Sequence, residues 1–186
     1  MRIISGKARG TKLYTLEGES TRPTLDRVKE SLFNIIQMKI KDCIFLDLFA
    51  GSGAIGLEAI SRGVKKAILC DQSKNAIQII KKNIEKTHSE EKIELYQTSF
   101  ENLLKNKIRE KIDIAYIDPP YKTKFAYEAI KIILEKDLIK KESIIIVETD
   151  EEKRIQKELE KLEIEIIDQR QYGRVHLIFL KKKKDN

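Results

Sequence analysis

Short apolar runs alternate along most of the chain with segments whose apolar residues recur at helical spacing. The apolar runs predict strands near residues 43–49, 66–71, 92–97, 112–117 and 143–149. The intervening segments predict helices near residues 54–62, 73–86, 100–107, 124–136 and 151–161. Such alternation is typical of an α/β fold in which a mostly parallel sheet is built with right-handed helical crossovers.

The end of the chain departs from this alternation. Residues 163–169 and 174–180 are both strand-like, and the turn at Tyr172-Gly173 between them is too short for a crossover helix. They therefore predict an antiparallel hairpin at the end of the sheet. The core of the domain is expected to span residues 43–180, followed by a basic tail at residues 181–186.

The first forty residues form a separate region. Residues 1–23 combine basic residues, glycines and alternating apolar positions, which predicts a small hairpin or arm with a positive charge. This charge suits phosphate contacts, although an ordinary edge hairpin with solubilising charges gives the same pattern. Residues 24–38 predict a helix that begins at the N-cap Thr24 and covers one end of the sheet. Arg22 and Arg27 flank its start and suit an anionic ligand or an exposed structural role.

Composition agrees with one domain of 186 residues and a net charge of +7. The basic balance is compatible with a polyanionic partner, but both signs are interleaved on predicted helix faces. Cys43 and Cys70 lie in apolar strand patterns and are interpreted as buried small side chains, so no metal site is expected. We find no secretory signal and no apolar run long enough for a membrane span, and we expect a cytoplasmic protein.

A glycine-rich loop follows the first predicted strand. Gly51, Gly53 and Gly56 form a Gly-x-Gly-x-x-Gly pattern, and helix-compatible residues follow directly. Glycines allow a tight turn and close approach of a ligand, and the helix start offers free N–H groups. The pattern predicts a nucleoside-containing cofactor, but alone it also occurs in dinucleotide dehydrogenases.

Two carboxylates narrow the choice of cofactor. Asp71 ends the second strand, where it can accept both hydroxyls of a ribose. Asp47 precedes the glycines, where it would face the pyrophosphate of NAD but would attract the cationic amino-acid end of S-adenosylmethionine. The pair favours S-adenosylmethionine. Alternatively, Asp47 caps the loop and Asp71 caps the following helix.

A second motif, Asp118-Pro119-Pro120-Tyr121, follows the strand predicted at residues 112–117. Two prolines fix φ and remove backbone donors, so the turn offers stiff carbonyl acceptors beside a carboxylate and an aromatic ring. This combination suits a planar amino group, such as that of a nucleobase, with two N–H bonds to donate and a face to stack. The simpler interpretation is a Pro-Pro turn that ends a strand.

Together these motifs give a family resemblance over nearly the whole chain. Residues 45–59, the Asp118-Pro119-Pro120-Tyr121 turn and Arg22-Pro23-Thr24 with Arg27 resemble the bacterial RsmD-type 16S rRNA (guanine-N2)-methyltransferases. The resemblance implies a Rossmann-like, mostly parallel seven-stranded sheet ending in an antiparallel hairpin. It also implies methylation of a guanine N2 in 16S rRNA with S-adenosylmethionine. We expect a monomer that acts on a small ribosomal subunit or an assembly intermediate.

The sequence departs from the family pattern at Asp71, where Glu is common, and at Ser99, where related enzymes place an acidic residue toward the adenine. A backbone contact near Phe100 is the expected substitute. The candidate catalytic residues are Asp118, Pro119, Pro120 and Tyr121. The candidate cofactor-binding residues are Asp47, Phe49, Gly51, Ser52, Gly53, Asp71, Ser99 and Phe100. The candidate RNA-binding residues are Arg2, Lys7, Arg9, Lys12, Arg22 and Arg27.

Two other functions fit the same residues. The turn Asp118-Pro119-Pro120-Tyr121, called the acceptor turn below, also suits an amino methyltransferase that acts on adenine N6 or on a protein glutamine amide. A non-catalytic RNA-binding or ribosome-assembly module that retains the fold would bind without turnover. The intact glycine loop and the intact acceptor turn favour an enzyme.

Overall fold

The computed structural model describes residues 1–16, 23–120 and 122–183. Strands in this part of the chain are β1 (Ile44–Asp47), β2 (Lys66–Asp71), β3 (Ile93–Gln97), β4 (Ile112–Ile117), β5 (Ile139–Thr149), β6 (Ile164–Tyr172) and β7 (Val175–Lys182). They form one sheet in the order β3-β2-β1-β4-β5-β7-β6. The first five strands pair in parallel, and β7 pairs antiparallel with both β5 and β6. The predicted sheet and its terminal hairpin are confirmed.

Strand β5 begins four residues before the predicted position 143. Ile139 at its start is buried, but Lys140, Lys141 and Glu142 are exposed and charged, so apolar periodicity could not identify this part of the strand. A hydrogen bond from Ser143 Oγ to the Ile112 carbonyl, at 2.7 Å, joins this part of β5 to β4. The register between these strands shifts nearby, between Ile112 and Ile114.

Helices cover both faces of the sheet. They are α1 (Pro23–Ile40), α2 (Ala54–Ser61), α3 (Lys74–Thr87), α4 (Phe100–Asn106), α5 (Phe125–Glu135) and α6 (Glu152–Leu159), with a short 3-10 helix at Glu90–Lys92. Side chains from α1 to α3 pack on one face and those from α4 to α6 on the other. Strand β1 supplies both cores because its side chains alternate: Phe45 packs with the first group and Leu46 with the second.

Residues 1–16 pair with each other and lie along α2. An antiparallel bridge joins Arg2 to Lys12. Backbone N–H groups of Ile4 and Ser5 donate to the buried Glu58 carboxylate, at 2.8 and 3.0 Å. The basic segment is therefore docked on the domain by backbone hydrogen bonds and is not a free arm. No helix in the described part of the chain is long and apolar enough to span a bilayer.

Candidate active site

Four acidic residues mark the carboxyl ends of four neighbouring parallel strands. Asp47 and Asp71 are the last residues of β1 and β2, Asp118 follows β4, and Glu148 lies one residue before the end of β5. These strands are adjacent in the order β2-β1-β4-β5. Their carboxyl ends therefore meet at the edge where open α/β sheets bind ligands. Sequence reasoning missed Glu148, although it ends an apolar strand just as the other three do.

The glycine loop is held against the end of β2 by Asp71. Asp71 Oδ2 accepts a hydrogen bond from Gly51 N at 2.9 Å, and Oδ1 accepts one from Ser73 N at 2.8 Å. A carboxylate has about four lone-pair sites, so two backbone donors leave about two for a ligand such as a ribose diol. Gly53 caps α2 with φ of 78°, a left-handed conformation that favours glycine.

A large cavity of about 910 Å³ opens beside Asp71. This volume is within the usual range for small-molecule sites. Phe49 and Phe125 lie parallel with their ring centroids 6.4 Å apart, and Phe100 lies tilted between them, 5.3 and 5.1 Å from each. The cavity therefore offers flat apolar surfaces for an aromatic ring. Other residues in its lining are Leu48, Cys70, Gln72, Thr98, Ser99, Glu101, Asn102, Lys105, Asn106, Asp118, Pro119 and Pro120.

Ser99 lies in the wall of the large cavity and caps α4, where its Oγ accepts a hydrogen bond from Asn102 N at 3.3 Å. The hydroxyl is thus engaged with the helix start. Side chains of Gln72 and Asn102, which sequence reasoning missed, supply amides to the same wall. Phe125 was also missed, because a single aromatic residue at the start of a predicted helix indicates packing as readily as binding.

A small cavity of about 120 Å³ lies on the other side of the glycine loop, against α1. Phe49 and Asp118 line both cavities, so the acceptor turn lies where the two meet. The predicted cofactor residues in the small cavity are Asp47, Phe49, Gly51 and Ser52. Its other polar residues, absent from the sequence-based assignment, are Lys29, Tyr116 and Glu148.

Asp47 is the most buried of these carboxylates, with 1% exposure. Burial raises its pKa to about 7, against the opposing effect of a hydrogen bond from Gly56 N at 3.0 Å. The hydrogen bond to Gly56 means that Asp47 does cap the glycine loop. It also lies in the cavity wall, so capping and ligand binding are compatible.

The buried Tyr116 and the half-buried Glu148 form a pair beside Asp47. The Tyr116 hydroxyl donates a hydrogen bond to Glu148 Oε2. Burial raises the pKa of both groups, and the hydrogen bond lowers that of Glu148 by stabilising its charged form. Lys29, in the same cavity, has its Nζ 3.3 Å from Glu58, while burial lowers its pKa. Its ammonium group is therefore tied to α2.

Hydrogen bonds from the residues that follow the acceptor turn and from α6 hold the turn in place. Thr123 Oγ1 donates to the Pro120 carbonyl at 2.8 Å, and Arg154 donates to the Thr123 carbonyl at 2.9 Å. Asp118 is exposed at the cavity mouth. Tyr121, predicted to stack on the target base, lies outside the described residues.

The predicted RNA-binding residues of the first segment fall into two groups. Met1 lines the small cavity, so Arg2 and its bridge partner Lys12 lie near the site. Lys7 and Arg9 lie at the opposite end of α2. The backbone N–H of Lys7 donates a hydrogen bond to the carbonyl of Ser61, the last residue of this helix, at 2.9 Å. Since α2 has eight residues, about 12 Å separates its two ends. The structure thus brings Arg2 and Lys12 close to the acceptor turn, whereas Lys7 and Arg9 lie at the far end of α2.

Of the remaining two arginines, only Arg27 lies in the described part of the chain. Arg27 is exposed on α1, where it is free of the packed core. Arg22 lies outside the described residues. Arg2 Nε is 3.6 Å from Asp26 Oδ2, an exposed pair expected to contribute little to stability.

Comparison with known proteins identifies similar chains. A family model described as conserved hypothetical protein 95 matches residues 1–181. Ribosomal RNA small subunit methyltransferase D of Haemophilus influenzae is 39% identical over 155 residues, which cover 82% of this chain and 80% of that protein. The protein of the same name from Escherichia coli K12 is 35% identical over 152 residues, which cover 82% of this chain and 76% of that protein. A solved structure from Escherichia coli, described as a candidate methyltransferase, is 27% identical with a TM-score of 0.83, covering 100% of this chain and 99% of its own.

Proposed function

Because the chain belongs to the family described as conserved hypothetical protein 95, we propose that it methylates the exocyclic N2 of a guanine in 16S rRNA, with S-adenosylmethionine as the methyl donor. It is an rRNA methyltransferase. The observation that carries the proposed chemistry is the position of Asp118, which lines both the large and the small cavity. A base held on Asp118 therefore lies next to both compartments.

The residues present fit this cofactor. The aromatic walls and the fixed Asp71 carboxylate of the large cavity suit an adenosine, and Asp47 in the small cavity suits a cationic amino group. When bound, S-adenosylmethionine supplies an electrophilic methyl group on its sulfonium. Gly51 and Ser52 lie between these two positions, where the loop backbone can approach the ligand closely.

The acceptor turn addresses a specific chemical difficulty. The lone pair of a guanine N2 is delocalised into the ring, so the nitrogen is a poor nucleophile. Asp118 and the Pro119 carbonyl each accept one N–H bond, which directs the lone pair out of the plane of the base. Such positioning supplies on the order of 7–11 kcal/mol of the barrier, more than a general base alone. Asp118 then accepts the proton that leaves after transfer.

The target nucleotide must be unpaired or flipped out of its helix to reach this site. Stacking on Tyr121 remains a prediction; aromatic stacking of this kind is worth about 1–3 kcal/mol per base. Since its proposed substrate is ribosomal RNA, we expect the protein to act in the cytoplasm, as a monomer, on a small subunit or an assembly intermediate.

The test uses small subunits and naked 16S rRNA from cells that lack the gene. Each is incubated with the purified protein and labelled cofactor, after which the RNA is digested to nucleosides and the protein to peptides for mass spectrometry. We expect labelled N2-methylguanosine at one position, with the faster substrate identifying the natural one. Label in N6-methyladenosine or in a protein glutamine would support the other amino methyltransferases. Binding of RNA and cofactor without any incorporation would overturn the enzymatic assignment.

A further inference from the structure

The small cavity contains a carboxylate that the mechanism above does not use. We propose that Glu148 selects guanine over other bases, by accepting the N1–H of the base whose N2 amine lies on Asp118. This inference rests on the proposed function. In this proposal, Glu148 of β5 recognises the N1–H edge of the base, and the acceptor turn after β4 orients the reacting N2 nitrogen.

The strand register places the two carboxylates side by side. In the parallel pairing of β4 with β5, Tyr116 lies opposite Ile146 and Ile117 opposite Val147. Continuing this register by one position brings Asp118 opposite Glu148. Neighbouring strands lie about 4.8 Å apart, and residues two apart on a strand share a face. Both carboxylates are thus on the Tyr116 face, and both line the small cavity.

Glu148 is held in a way that leaves one oxygen for a ligand. The Tyr116 hydroxyl donates to Oε2, and within the described residues no hydrogen bond is donated to Oε1. Tyr116 itself is 3% exposed and packed in the core, so it restrains the Glu148 side chain from a fixed position. Burial raises the pKa of Glu148, and the hydrogen bond from Tyr116 opposes this by stabilising the charged, acceptor-only form of the carboxylate.

The chemistry of this pair matches the edge of guanine. Guanine has N1–H and the N2 amine side by side, so its edge presents adjacent donors to two adjacent carboxylates. Adenine has an acceptor at N1, which Glu148 would repel. A site built to accept a hydrogen bond discriminates strongly against a base that lacks the donor, because its own polar group then stays unpaired.

A modified base separates this role from general catalysis. 2-Aminopurine keeps the reactive amine at C2 but has an acceptor at N1. Small subunits are reconstituted with 16S rRNA that carries guanine or 2-aminopurine at the methylated position, and single-turnover rates are measured for both. We expect wild-type protein to favour guanine by about 10- to 100-fold, the discrimination usual for a good base contact.

Glu148→Gln is the decisive variant, since it keeps the shape and the acceptor for Tyr116. Its amide can donate to the N1 of 2-aminopurine, so we expect the preference for guanine to fall at least fivefold. Glu142→Gln, an exposed position at the other end of β5, is the control and should keep the wild-type ratio. Tyr116→Phe, which removes only the hydroxyl, should lower the ratio by a smaller factor.

Cofactor affinity, measured with S-adenosylhomocysteine, reports whether each variant is folded. An unchanged guanine preference in both Glu148→Gln and Tyr116→Phe, with normal cofactor affinity, would overturn the inference and leave the proposed function intact. Failure of the proposed function itself looks different, because wild-type protein would then methylate neither base.

Discussion

The two cavities meet at Phe49 and Asp118 but differ in size and in chemistry. The large one is open, about 910 Å³, and its walls combine phenylalanine rings and neutral amides with the charged side chains of Asp71, Glu101 and Lys105. The small one, about 120 Å³, brings the Asp47 and Glu148 carboxylates beside Tyr116. The large cavity suits stacking of a base beside a ribose held by Asp71, whereas the small one suits a cationic group held by the buried Asp47 carboxylate. Affinity for the nucleoside and orientation of the reacting groups are thus assigned to different compartments.

The carboxylates of the small cavity are costly to the folded protein. Burial raises the pKa of Asp47 to about 7 and also raises that of Glu148, so ionising either one at neutral pH opposes folding. Asp71 is in a different situation, because two backbone N–H groups hold it at the rim of the large cavity. Groups that are costly without a ligand are those we expect a ligand to use.

Removing the carboxylate shared by both cavities should have the largest effect. Asp118→Ala is expected to slow methyl transfer at least 100-fold, because one acceptor for the amine is lost. Cofactor affinity should stay close to wild type, since Asp118 is exposed at the mouth. Single-turnover assays with small subunits measure the rate. Asp118→Asn keeps an oxygen acceptor, so a rate above that of Asp118→Ala would favour orientation over proton removal. A wild-type rate for Asp118→Ala would refute the mechanism.

The glycine loop between the cavities offers the next test. Gly53→Val should abolish cofactor binding, because Gly53 has φ of +78° and a Cβ there would lie 3.3 Å from Ile80. Gly10→Val is the matched control, with φ of +88° and nothing within 4 Å of the added Cβ. Calorimetric titration with S-adenosylhomocysteine should give no heat for the first variant and normal binding for the second. Equal loss in both would attribute the effect to backbone strain alone.

The small cavity also predicts a pH dependence of stability. The raised pKa of Asp47, about 7, means that between pH 4 and 7 the folded state holds a proton that the unfolded state has released. Stability therefore falls as pH rises through this window, and Asp47→Asn removes the effect. The variant should gain about 2–3 kcal/mol over wild type between pH 5 and 8. Urea unfolding at several pH values measures this; a constant difference would show that Asp47 does not titrate there.

Outside both cavities, the basic segment should give the smallest effects. Replacing Arg2 and Lys12 by alanine is expected to reduce the magnitude of the log–log salt slope of RNA binding by roughly 0.7–0.9 per lost phosphate contact. Replacing Lys7 and Arg9, at the far end of α2, serves as the control and should change the slope less. Binding is measured by filter retention at several salt concentrations. Equal changes for both pairs would remove the distinction between near and far residues.

Much of the fold was predictable because apolar periodicity follows strand and helix geometry directly. Strand β2 and helix α2 begin where the pattern predicts, and the short turn at Gly173 identified the terminal hairpin. The start of β5 was not predictable, since Lys140, Lys141 and Glu142 are exposed and charged, and this part of the strand is joined to β4 only through the pairing of Ile139 with Ile112 and the hydrogen bond of Ser143. Periodicity records burial, and these residues have little.

The residues of the functional site were also predictable only in part. Asp47 and Asp118 could be identified because they end apolar strands close to glycines or prolines, and Asp71 because it ends the next apolar run after the glycine loop. Glu148 ends a strand too, but no motif accompanies it, and its contact with Tyr116 joins residues 32 positions apart. Phe125 belongs to the same class, because only the folded chain brings it beside Phe49. Long-range juxtaposition leaves little trace in a single sequence.

The division of labour between the cavities is tested most directly with two ligands. S-adenosylhomocysteine carries the amino-acid end of the cofactor, and 5′-methylthioadenosine lacks it. At pH 8, we expect Asp47→Asn to weaken S-adenosylhomocysteine at least tenfold in calorimetric titration while leaving 5′-methylthioadenosine within twofold. Asp71→Asn should weaken both ligands by the same factor. If Asp47→Asn weakened both ligands equally, or neither, the assignment of the small cavity to the charged end would be contradicted.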